Sequence, residues 1–179
     1  MLTRIRQARR ARLALALVAA FAFAAPANVA AANGASSLYE TYELTGYEVW
    51  YAPTTGTFVG VGSGTAGEIS GWYTAVDHDA VIIPSGLVTG GVAALQRVDG
   101  VQMNGRFTGG NVWQTNDGPG CSNDEFQISG TVADVTRTDR PGESGFGYFS
   151  ATLKHYRTWI FNDCYSYSAK VTGTFSILF

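Results

Sequence analysis

Polar and apolar residues alternate with a period of two along most of the chain after residue 37, and no stretch there carries a convincing helical period. The plainest run is the last. Tyr165, Tyr167, Ala169, Val171, Gly173, Phe175, Ile177 and Phe179 share one side, and Ser166, Ser168, Lys170, Thr172, Thr174 and Ser176 share the other. Such a run predicts a strand with one face on a core and one in water. The run before it, 147–161, begins alike with Phe149, Ala151 and Leu153 on one side. That side continues with His155 and Arg157, and then with Trp159 and Phe161. Two side chains able to carry positive charge, set in an apolar row, are the chief anomaly of the pattern.

Six further strands are predicted upstream. Residues 38–51 are rich in Tyr, Thr, Val and Trp, and a turn cluster at 52–56 separates them from a Gly-interrupted strand at 57–63. After a turn at 64–67, a third strand covers 68–78, with Ile69, Gly71, Tyr73, Ala75 and Asp77 on one face and Trp72 and Val76 on the other. A Pro-containing connection follows. Residues 87–98 suit a strand or a short helix, and the valines and Gly90-Gly91 favour the strand. Asp99-Gly100 marks a two-residue hairpin turn. Next comes a strand at 101–115, with Met103, Gly105, Phe107, Gly109, Asn111 and Trp113 on one side. A polar loop at 116–124 leads to a strand at 125–136 that points Phe126, Ile128, Gly130 and Val132 inward.

Eight long strands joined mostly in sequence, many with a glycine in mid-run, suit an all-β antiparallel barrel, with a β-sandwich as the alternative. Closure removes the exposed edges that endanger so β-rich a chain. A barrel of this strand number has room for a packed interior or one small ligand. If consecutive strands run up and down, Cys121 and Cys164 fall at the same end of the sheet, before the sixth and eighth strands. There they are expected to pair as a disulfide.

The start of the chain sets the compartment. Arg4, Arg6, Arg9, Arg10 and Arg12 precede an apolar run from Leu13 to Ala25, followed by small residues. This is the layout of a cleaved signal peptide, expected to span 1–31. The apolar run falls short of the roughly 20 residues needed to cross a bilayer. Residues 32–37 read as a mobile polar lead-in and 38–179 as one domain. The protein is therefore expected to be secreted, with no membrane segment after cleavage. The leader carries five of the 12 basic residues and none of the 14 acidic ones, so the remainder has seven against 14, a net charge of −7. An acidic surface repels phosphate backbones, which argues against nucleic acid as a partner.

The stretch Pro141-Gly142-Glu143-Ser144-Gly145-Phe146-Gly147-Tyr148-Phe149, leading into Ala151-Thr152-Leu153-Lys154-His155, resembles the Gly-rich hairpin and following strand of the allene oxide cyclase and dirigent barrels. That resemblance implies an eight-stranded, calycin-like barrel with an internal pocket. It carries over no functional residue. The chain also resembles many small secreted bacterial proteins of unknown role.

Candidate chemistry is sparse. His155 and Arg157 are read as polar groups in a barrel mouth, fixing a ligand's anionic or carbonyl group. Tyr73, Asn111 and Trp113 join them on the faces presumed inward. Asp77-His78-Asp79 cannot converge on one ion from an extended strand, and two histidines offer no zinc motif, so no metal and no cofactor is expected. No nucleophile elbow or nucleotide fingerprint is present. The leading expectation is a non-catalytic module holding a small, largely apolar ligand with a polar or anionic group. One alternative is a metal-free cyclase or isomerase using His155 as general acid or base. Another is a secreted inhibitor or surface interaction protein acting through the 116–124 loop.

Overall fold

The computed structural model describes residues 38–52, 54–79 and 85–179. The predicted leader and the 32–37 lead-in lie outside them. Eight strands follow one another: β1 (Tyr39–Ala52), β2 (Thr55–Gly64), β3 (Gly67–His78), β4 (Ser85–Arg97), β5 (Gln102–Asn116), β6 (Asp124–Arg137), β7 (Gly145–Ile160) and β8 (Asp163–Leu178). Each pairs antiparallel with the next, and β1 pairs with β8, so the sheet is a closed up-and-down barrel. The sandwich alternative is excluded by that last pairing. The 87–98 ambiguity resolves as strand β4. The hairpin after it is longer than the two residues predicted: Arg97 N–H donates to Val101 O, leaving three residues in the loop with Gly100 at φ 90°. A glycine in the left-handed region is what a three-residue hairpin asks for.

Closure puts the apolar faces inside. Tyr42, Phe58, Phe149, Phe175, Ile177, Val132 and Val171 are all buried to within 2% of complete. Away from the turn that joins them, the two long C-terminal runs face as their alternation predicts, with Phe149, Ala151 and Leu153 from β7 and Ala169, Val171, Phe175 and Ile177 from β8 pointing in. Trp159, Phe161, Tyr165 and Tyr167, expected on the same rows, are instead exposed around the β7–β8 turn and the register shift beside it. At the waist, Gly46 and Gly60 sit opposite each other on β1 and β2. The Trp72 indole from β3 lies across both, donating Nε1–H to the carbonyls of Thr45 (3.2 Å) and Val61 (3.1 Å). A Cβ on Gly60 would stand 2.6 Å from that nitrogen. These two glycines make a slot for a large ring.

The two ends of the cylinder differ. At one end Glu40 and Arg137 are 1% and 6% exposed. Arg137 Nη1–H donates to Glu40 Oε1 (2.8 Å), and its Nη2–H and Nε–H fork onto Asp139. Tyr42 O–H donates to Glu40 Oε2 (2.6 Å), and the guanidinium lies over the Phe179 ring. This bonded network stops that end. At the other end Cys121, in the loop before β6, is disulfide-bonded to Cys164 at the start of β8, with Cα atoms 5.5 Å apart. Because β6 and β8 run in the same direction, the two cysteines meet as the strand count predicts.

Candidate functional site

The disulfide-bearing end is open. A cavity of about 620 Å³ occupies it, lined from seven of the eight strands. Its floor is apolar: Phe58, Val76, Val112, Ile128, Leu153 and Ala169, all buried. Above the floor stands a polar tier of Glu48, His78, Gln114, Asp124, His155 and Arg157, and Trp50, Tyr51 and Tyr167 form part of the rim. An apolar chamber with a few convergent polar groups is the usual form of a small-molecule site.

The tier follows from strand parity. On β7, His155 and Arg157 continue the inward row of Phe149, Ala151 and Leu153. On β6, Asp124 is two residues before Phe126 and four before Ile128, on the same side, and it lies directly opposite His155 in the register. On β1, Glu48 continues the row of Glu40, Tyr42, Leu44 and Gly46. The result is one connected chain. Arg157 Nη2–H donates to Asp124 Oδ2. Asp124 Oδ1 is 3.0 Å from His155 Nδ1, and Glu48 Oε2 is 3.1 Å from His155 Nε2. The Asp124 and Glu48 side chains are only 3% and 8% exposed. Buried carboxylates need counter-charges, and the imidazole and guanidinium supply them.

Burial disfavours the charged imidazole. The bond and charge of Glu48, followed by those of Asp124, outweigh that penalty and hold the His155 pKa above its ordinary 6.5. The four groups therefore form a compensated set, two negative and two positive. The backbone supports the set as well: Asn123 Oδ1 accepts the Arg157 backbone N–H (3.2 Å).

Of the five ligand-binding residues expected from the sequence, His155 and Arg157 line the cavity and Tyr73, Asn111 and Trp113 do not. The three that do not are on the outer surface of their strands for a local reason. In β3 the register slips at Ser70, between Ile69 and Gly71, so the inward row after Ile69 becomes Trp72, Thr74, Val76 and His78. In β5 it slips at Thr108, between Phe107 and Gly109, so Val112 and Gln114 turn in while Asn111 and Trp113 turn out. A bulge adds one residue to one strand, and each residue beyond it changes face. Glu48, Asp124, His78 and Gln114 were missed. Glu48 and Asp124 were legible, because each extends an inward row by one step. His78 and Gln114 lie past bulges.

Among the described residues, no group of three His, Cys, Asp or Glu side chains is placed to hold a metal ion. Comparison with protein-family models, with curated proteins and with solved structures gives no match, so the reading of this chain's site rests on its own geometry and on the eight-stranded closed barrel that carries it.

Proposed function

We propose that this protein is an exported binding module that takes a small, largely apolar molecule into the open end of its barrel, with a polar group of the ligand against the tier at His155 and Arg157. The observation that carries the reading is the asymmetry of the cylinder. One end is closed by the Arg137 network, and the other holds an apolar-floored chamber beneath buried charge. Export is supported by the disulfide, which persists in oxidising compartments. Catalysis by His155 is the weaker reading, since both ring nitrogens are committed to carboxylates and neither is spare to exchange a proton with a ligand.

A titration with N-phenyl-1-naphthylamine tests the binding reading. The neutral dye should bind saturably with one site, and Ala169→Phe, which fills the cavity, should abolish the signal while unfolding stays cooperative. Equal binding by the filled variant would place the dye elsewhere and count against the reading.

A second reading has one observation of its own. The β7–β8 hairpin tip exposes Trp159, Ile160 and Phe161, the last at 97%. Exposed apolar groups of this size mark contact surfaces. The disulfide fastens the 116–124 loop beside this tip, which favours a protein partner on the rim. Loss of dye binding with retained partner capture in Ala169→Phe would separate the two roles.

A further inference from the structure

Among the described residues, the buried hydrogen-bonding atom left unpartnered in the chamber is an acceptor. Asp124 has given Oδ1 to His155 and Oδ2 to Arg157. Glu48 has given Oε2 to His155, and among the described residues no donor reaches its Oε1. Gln114 Oε1 is buried and has no partner among the described residues. His78 faces the same space, only 8% exposed. Its Nδ1 is 2.7 Å from the Asp79 carbonyl, which only accepts, so Nδ1 carries a proton and is spent on the backbone. Two acceptors thus come from β1 and β5, around the mouth from the β7 cations. Those cations do not make the tier anion-seeking. Their charge is balanced by the two carboxylates, and a ligand anion would be repelled by the buried, acceptor-only Glu48.

We infer that the chamber selects a neutral ligand that donates a hydrogen bond, a hydroxyl on an apolar body, received by Gln114 Oε1. A buried acceptor left without a donor costs the full desolvation of that atom. A hydroxyl supplies the missing hydrogen. A methyl ether of the same shape does not, and a carboxylate adds repulsion. A site built to bond a hydroxyl rejects the analogue that lacks it far more strongly than it rejects a change in size.

This inference rests on the binding reading and is tested apart from it by three probes sharing one ring system: 2-naphthalenemethanol, its methyl ether and 2-naphthoate, each titrated by calorimetry against the oxidised protein. The alcohol should bind more tightly than either of the others, by about tenfold or more, although the ether is the more apolar. Gln114→Met should shrink the preference for alcohol over ether, read as the ratio of the two affinities. Equal affinity for alcohol and ether, or a preference for naphthoate, overturns the inference and leaves the pocket standing. Failure of all three to bind, together with failure of the neutral dye, removes the pocket and the inference with it.

Discussion

His155 and Glu48 are 107 residues apart in the chain, yet Nε2 of one is 3.1 Å from Oε2 of the other across the mouth of the barrel. The contact exists because β1 closes the sheet against β8, which brings the first strand within one strand of β7. It also makes this imidazole a stabilising cation. The folded state holds the His155 pKa above 6.5, so it keeps its proton at pH values where the unfolded chain has lost it. The contribution is complete below about pH 6.5 and is lost as pH rises through the raised value. Urea unfolding of the wild type should show stability falling across that window, and His155→Gln should flatten the slope. A slope that survives the substitution would assign it to another group.

The closed end answers to the opposite arithmetic of a buried pair. Arg137→Met would leave Glu40 buried without its counter-charge, at a cost of about 3–5 kcal/mol. The double variant Glu40→Leu/Arg137→Met removes both charges and should regain most of that loss. Chemical denaturation of the three proteins measures it, and a double variant no better than the single would show that packing, not unpaired charge, sets the cost.

Below its ordinary value lies the Asp139 carboxyl, held there chiefly by the Arg137 bond against a smaller burial penalty. Its share of stability is present above the unfolded value of 3.8 and is lost as pH falls through the depressed one. Asp139→Asn should therefore lower stability at neutral pH and reduce the wild type's loss on acidification. Melting curves from pH 2 to 7 read both effects.

Gly60→Ala presses a methyl into the Trp72 indole and the β1 backbone. Overpacking of this kind costs about 1–3 kcal/mol, with more expected here because backbone is among the atoms met. The tryptophan emission should shift as the indole leaves its two carbonyl acceptors. An unchanged melt would mean that the slot is not tight.

Replacing Cys121 and Cys164 by serine reopens a loop of 43 residues, worth about 4 kcal/mol in the chain-entropy account. The loss should appear as a lower denaturation midpoint. Because Asp124 follows Cys121 by three residues, affinity for the neutral dye should also fall in the folded variant. Full affinity would show that β6–β7 pairing alone holds the tier.

Alternation by twos, read along the chain, determined the strand number, the all-β class, the pairing of the two cysteines and the inward facing of His155 and Arg157. These are local or follow from counting, since a strand's side chains change face at every residue whatever surrounds it. Tertiary structure decided the rest. Tyr73, Asn111 and Trp113 turned outward because single-residue bulges at Ser70 and Thr108 inverted the parity beyond them. A bulge is a mismatch between two strands, so neither strand's own sequence announces it. Asp124 and Glu48 were each visible as carboxylates on an inward row. Only closure and register placed both against one imidazole, because those distances depend on how far the sheet shears as it meets itself.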